Sequence, residues 1–199
     1  LWVIYKYMQQ NQKASITGIG SYLPSKVLTN YDLEKMVDTS DDWIIQRTGI
    51  KERRIVENGQ ITSDLATYAS LRAMEDAGVS PGDLDMIITS TITPDHIFPS
   101  TSCYIQQKIG ASRASAFDIL AACAGFIYAL SVGESFVNSG AMKTVLVVGA
   151  ECLSKITDYT DRTTCILFGD GAGAVVIQKT LSKHEILSTR LAAAGSQAD

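Results

Sequence analysis

The sequence predicts a layered α/β fold built from parallel βαβ units, and two patterns carry that prediction. Short β-rich apolar runs alternate along the chain with stretches of helical periodicity, most of them closed by a glycine. The middle runs also lack the polar alternation of a half-exposed strand, so helices are expected on both faces of the sheet.

The elements follow in order. "ASITGIGSYLP" (14–24) reads as a short buried strand ending in a turn. In "SDDWIIQRTG", Ser40 is a candidate N-cap and Gly49 a C-terminal stop, framing a short helix. Asn58-Gly59 marks a turn. Residues 63–77 carry Leu65, Tyr68, Ala69, Arg72, Ala73 and Met74 at helical spacing, and Gly78 stops them. "LDMIITST" (84–91) is a strand covered on both faces; Pro99-Ser100 then opens a helix that Gly110 closes. "SAFDIL" (115–120) reads as a strand, 124–139 as a helix stopped by Gly140, and "TVLVVGAE" (144–151) as another strand. After an irregular 152–168, residues 173–179 and 185–193 read as adjacent strands. The helix at 124–139 is apolar nearly all round, as an interior helix is. A chain of 199 residues has little left to wrap it.

Composition narrows the class. With 46% apolar and 19% charged residues, the chain reads as one globular domain with a sizeable core. A net charge of −4 gives no reason to expect non-specific nucleic-acid binding, and Lys51, Arg53 and Arg54 read as a local solvated face. No apolar run reaches the roughly 18 residues that span a bilayer. "LWVIYKYMQQNQK" is too short and badly flanked for a secretory signal, so a cytoplasmic location is expected. Met8 is a candidate start, and 1–13 reads as an extension outside the fold. The four cysteines (103, 123, 152, 165) form no CxxC pair, and are expected to be reduced and not to bind metal.

"DILAACAGFIYAL" (118–130) holds the main candidate, Cys123. Two readings stand side by side. Free cysteine is a small, frequently buried apolar filler. A cysteine where a strand hands over to a helix is also placed for nucleophilic work, because helix N-terminal amides favour a thiolate and can hold an oxyanion. Gly125 costs a helix about 1 kcal/mol against alanine, which close approach of another backbone or a substrate would explain. "FGDGAGAVV" (168–176) leads into a β-branched run rather than a helix, so tight packing beneath a site is expected of it, not a phosphate cradle. His96 and His184, the only histidines, read as loop residues that nothing local brings to Cys123. Trp43 and Arg47 lie four apart on one helix, either a flat aromatic platform beside a cation or an ordinary packed Trp with a solvated Arg.

Taken together, "LEKMVDTSDDWIIQRTGIKERRI" (33–55), "AFDILAACAGFIYALSVGESFVNSG" (116–140), "VLVVGAE" and "DRTTCILFGDGAGA" (161–174) resemble β-ketoacyl-acyl carrier protein synthase III, from about Ala14 to Asp199. The resemblance implies a thiolase-like fold, with 14–199 as one βαβαβαββ half of a five-layer αβαβα sandwich, and a homodimer. It implies that Cys123 takes an acyl group from acetyl-CoA, and that malonyl-acyl carrier protein then loses carbon dioxide and attacks that thioester. Acetyl-CoA is a substrate here, and no cofactor is implied. Trp43 and Arg162 match residues that sandwich the CoA adenine, and Arg47 one near its phosphates. Phe98 matches a residue reaching into the partner's acyl pocket, while Leu153 and Phe168 match pocket positions. The family's catalytic His and Asn belong to its second half, matched by neither His96 nor His184, so a piece inactive alone is expected. Two alternatives stay open: a sister thiolase-fold acyl-CoA enzyme, such as a hydroxymethylglutaryl-CoA synthase or secondary-metabolite ketosynthase, and a non-catalytic dimerising fragment.

Overall fold

The computed structural model describes residues 13–57, 59–181 and 184–197. Most of the expected 1–13 extension, with Met8, lies outside the described residues, as do Asn58 of the expected turn and Lys183.

Five strands form one mixed sheet in the order β1-β7-β6-β4-β5. They are β1 (Lys13–Tyr22), β4 (Met86–Ser90), β5 (Ser115–Ile119), β6 (Thr144–Cys152) and β7 (Asp170–Thr180). β4 pairs in parallel with both β5 and β6, whereas β7 runs antiparallel to its neighbours β6 and β1. A two-stranded hairpin, β2 (Lys26–Thr29) with β3 (Glu52–Ile55), stands apart from this sheet. The sequence reading missed it, because two four-residue, Lys/Arg-bearing runs carry no apolar pattern of their own.

The helices are α1 (Asn30–Leu33), α2 (Asp41–Thr48), α3 (Thr62–Ala77), α4 (Thr101–Ile109) and α5 (Gly125–Ser139). The expected stops hold: Gly49, Gly78, Gly110 and Gly140 all take left-handed φ values between 65° and 77°. Ser40 caps α2, its hydroxyl accepting the Trp43 N–H at 3.2 Å.

Strand alternation divides the core. Ile87, Leu146, Val148 and Val176 face α3 and α4, while Met86, Ile88, Val145, Val147 and Ile177 face α5. Each such side chain, removed wholly from water, contributes about 1.5–3 kcal/mol. β1 approaches α3 so closely that a Cβ on Gly18 or Gly20 would lie 2.3 Å from the carbonyl oxygen of Ala73 or Ala69, which accounts for "GIG" in this strand.

Three expectations need correction. β1 is an edge strand with exposed outer positions such as Ile19, not a buried one. Residues 185–193 are not a strand: β1 takes only the His184 carbonyl and the Ile186 N–H, and the segment then runs along α5, where Tyr128 Oη donates to the Ala192 carbonyl at 3.2 Å. α5 buries one stripe only (Gly125, Ala129, Gly133, Val137), and Ile127 on its outer side is exposed. Its apolar outer face thus lacks the cover that an interior helix has among the described residues.

Candidate active site

The parallel strands β4, β5 and β6 deliver their carboxyl ends to one edge of the sheet, and the candidate nucleophile lies there. After Ile119 the chain passes through a one-turn 3-10 segment, Ala122–Ala124, directly into α5. Ala122 has φ +46°, the one non-glycine residue with positive φ among the described residues. Such a conformation costs on the order of 1–2 kcal/mol for an L-residue. It makes a sharp elbow that leaves Cys123 exposed instead of packed, so the apolar-filler reading is set aside. Gly125 explains itself here: a Cβ would lie 2.0 Å from Ser90 Oγ and 3.2 Å from Ser90 Cβ. Ser90 shares the α5-facing side of β4 with Met86 and Ile88, so the missing side chain lets the helix start sit directly on the strand end.

Cys123 opens onto a cavity of about 550 Å³ whose wall is predominantly apolar. Ile92 follows β4, Glu151 is the penultimate residue of β6, and Leu153, Ile156 and Phe168 come from the segment between β6 and β7. Leu153 and Phe168, both expected near an acyl pocket, therefore share one cavity with Cys123. Phe98 does not: it is 87% exposed beside the fully exposed Ile97, on the loop between β4 and α4. His96 stacks on Tyr104 at 5.6 Å between ring centroids, and neither it nor His184 lines the cavity.

Trp43, Arg47 and Arg162 come together as a second cluster. The guanidinium carbons of Arg47 and Arg162 lie 4.1 Å and 4.7 Å from the Trp43 ring centroid. Arg162 also reaches the exposed Asp38 at 3.4 Å. The segment 153–168 joins the two clusters, since it carries Leu153, Ile156 and Phe168 of the cavity as well as Arg162 of the platform.

Two buried groups hold that segment, and the sequence reading missed both. Asp170 accepts hydrogen bonds from Val56 N at 2.7 Å, Ser154 N at 2.8 Å and Ser154 Oγ at 2.6 Å. Arg53, expected on a solvated face, is only 4% exposed. Its Nε and Nη2 both donate to the Ile166 carbonyl, Nε at 3.0 Å, and its Nη1 donates to Asn30 Oδ1 at 2.5 Å. Burial pushes its pKa down from the usual arginine value. Charge patterning along a sequence does not separate a buried arginine from a surface one, and no motif signalled this one.

Glu151 was also missed. Its carboxylate accepts from Ile92 N at 2.9 Å, Thr93 N at 3.1 Å, Thr93 Oγ1 at 2.6 Å and Thr91 Oγ1 at 3.3 Å, so it pins the turn that carries Ile92. The available signal was an acid closing the otherwise apolar run "TVLVVGAE". The glycines of "FGDGAGAVV" do pack tightly: a Cβ on Gly169 would lie 3.1 Å from Arg53 Cβ, and one on Gly171 2.9 Å from Leu23 Cδ2.

Residues 117–195 match the family model of 3-oxoacyl-[acyl-carrier-protein (ACP)] synthase III. The chain is 60% identical over 183 residues to a β-ketoacyl-[acyl-carrier-protein] synthase III of Caldanaerobacter subterraneus subsp. tengcongensis, covering 92% of this chain and 55% of that one. It is 60% identical over 190 residues to the enzyme of the same name from Xanthomonas campestris pv. campestris, covering 96% and 58%. Among solved structures, 3-oxoacyl-[acyl-carrier-protein] synthase III from Aquifex aeolicus VF5 superposes with a TM-score of 0.89 at 55% identity, over 92% of this chain and 59% of that one. A priming β-ketosynthase from the R1128 polyketide pathway gives 0.83 at 40% identity, over 85% and 51%. The chain spans a little over half the length of the curated relatives it matches.

Proposed function

We propose, for a chain that belongs to the 3-oxoacyl-[acyl-carrier-protein] synthase III family, that Cys123 is the nucleophile of an acyl transfer. Its thiolate sulfur attacks the carbonyl carbon of a short acyl-CoA such as acetyl-CoA. The CoA thiolate leaves, and the acyl group stays on Cys123 as a thioester. In the full reaction, malonyl-[acyl-carrier-protein] loses carbon dioxide, and its carbanion attacks that thioester to give a 3-oxoacyl-carrier protein and the free thiol. This is the initiating condensation of type II fatty acid synthesis. The described residues are equipped for the first of these two steps.

One observation carries the reading: an exposed thiol at the start of a helix, opening onto an apolar cavity of about 550 Å³. The helix N-terminus favours negative charge at the sulfur and at the carbonyl oxygen under attack. Ile92, Leu153, Ile156 and Phe168 offer the acyl chain an apolar wall. Trp43, with Arg47 and Arg162, would take the adenine and phosphates of CoA. A flat ring between Trp43 and Arg162 needs roughly 7 Å, two stacking distances. Arg162 lies closer than that, so it swings outward on binding, giving up a weak surface pair with Asp38.

We further infer a cytoplasmic homodimer with no separate cofactor, in which Phe98 reaches the partner's acyl pocket. Its exposure supports this role, and among the described residues no helix is long and apolar enough to cross a membrane. The test is labelling with radioactive acetyl-CoA, followed by peptide mapping. Label on the Cys123 peptide, absent in Cys123→Ala, is the expected result. Undiminished labelling of Cys123→Ala refutes the assignment.

A further inference from the structure

Two carboxylates, Glu151 and Asp158, interrupt the apolar wall of the Cys123 cavity. Neither forms an ion pair with a cation among the described residues, where all such pairs lie elsewhere. Glu151 is held by backbone N–H groups and threonine hydroxyls of the 91–93 turn. Asp158 Oδ1 accepts from Thr160 N at 2.8 Å and Thr160 Oγ1 at 2.7 Å. All of these donors are neutral, and the Thr160 bonds hold the Asp158 carboxyl below the usual range. They fix where each charge sits without cancelling it.

Strand alternation puts Glu151 on the same side of the sheet as the helix that begins at the nucleophile, and both residues line the cavity. Glu151 lies on the α5-facing side of β6 with Val145, Val147 and Gly149, and α5 begins beside Cys123. Glu151 is half-buried beside the apolar wall and Asp158 stands exposed at its rim, so both charges oppose a third entering the cavity, Glu151 the more strongly because water screens Asp158. A neutral acyl chain meets only the apolar wall there.

We propose that Glu151 and Asp158 are specificity determinants that reserve the cavity for uncharged acyl groups and turn away those ending in a carboxylate, such as malonyl or succinyl. The proposal rests on the acyl-transfer reading for its biological meaning. It concerns the group carried on Cys123, not the carrier-bound partner that arrives afterwards.

The experiment compares alkylation of Cys123 by iodoacetamide and by iodoacetate, reagents of similar size that differ by one charge. In both, the thiolate sulfur displaces iodide, a C–S bond forming as C–I breaks. The thiolate fraction therefore cancels from the ratio of the two rates. Rates are read on each cysteine peptide by mass spectrometry, with the buried Cys152 and Cys165 as internal references. Glu151→Gln should lower the amide-to-carboxylate rate ratio at Cys123 by about threefold to tenfold, the effect of removing one nearby charge, and the solvent-screened Asp158→Asn should lower it by a smaller factor of about twofold. Glu151→Asp, which keeps the charge, should keep the wild-type ratio, separating electrostatics from disturbance of the 91–93 turn. Asp158 sits on an exposed loop, so its variant reports even if Glu151→Gln unfolds. A ratio unchanged in both neutralised variants overturns the proposal. Failure of acetyl-CoA to label Cys123 would count against the acyl-transfer reading alone, since the alkylation ratio needs no CoA.

Discussion

Gly125→Ala sets two well-measured effects against each other. Gly125 has helical dihedrals, φ −58° and ψ −39°, at the head of α5. Propensity alone then predicts that alanine stabilises the protein by about 1 kcal/mol. Packing predicts the reverse, because the new Cβ would fall 2.0 Å from Ser90 Oγ and 3.2 Å from Ser90 Cβ. Ser90 is only 4% exposed, so its hydroxyl has little room to turn aside. Overpacking of this kind costs about 1–3 kcal/mol. The balance is a net loss of up to about 2 kcal/mol, read as a lower urea midpoint at unchanged slope. Ser90→Ala removes the nearer clash and keeps the milder one. The double variant should therefore recover part of the loss, with a coupling of about 1 kcal/mol. Cys123, two residues upstream, should also react with iodoacetamide at a changed rate, as the elbow that presents it shifts. A Gly125→Ala protein more stable than wild type, or one indifferent to Ser90→Ala, would show that the helix start has slack and that the glycine is there for another reason.

Two further outcomes follow from buried or capping polar groups. Arg53→Met strips donors from the Ile166 carbonyl and Asn30 Oδ1, and the relief of burying one charge fewer offsets only part of that. A loss of about 2 kcal/mol is expected, with altered Trp43 fluorescence as the segment bearing Arg162 loosens; an unchanged urea midpoint would contradict the clamp. Asp32 accepts the Thr29 hydroxyl at 2.6 Å and the Thr29 N–H at 3.1 Å, and with Lys35 nearby its pKa falls to about 2. A depressed carboxylate stabilises the fold when ionised, so its contribution is complete above about pH 4 and fades as pH falls through 2. An NMR titration of its side-chain carboxyl with a midpoint near 4 would refute this.

What could be read from the sequence divides along a physical line. Helix ends were legible because a left-handed stop selects glycine almost uniquely, and four of them do so here. The apolar strands were legible because both their faces are covered. Residues 185–193 misled because apolar composition resembles a strand whether or not an edge is there to receive it; β1 offers the segment two hydrogen bonds before it turns to α5. Arg53, Asp170 and Glu151 were illegible for the opposite reason. Each is a charge whose partners lie far away in sequence: Ile166 for Arg53, Val56 for Asp170, and the 91–93 turn for Glu151. One-dimensional charge patterning registers only neighbours.

The same distinction explains why the nucleophile was found while its surroundings were not. Parallel strands send their carboxyl ends to one edge, and crossovers on opposite faces leave a crevice there. In this fold α4 returns β4 to β5 on one face, while α5 returns β5 to β6 on the other. Any reactive residue just beyond β5 must then lie beside whatever follows β4 and β6. Ile92, Cys123 and Glu151 meet by that rule alone, although 31 residues separate the first pair and 28 the second. Strand direction, which apolar runs reveal, thus locates the site. The charges that tune it depend on side-chain partners across the crevice, and those emerge only once the three strand ends are brought together.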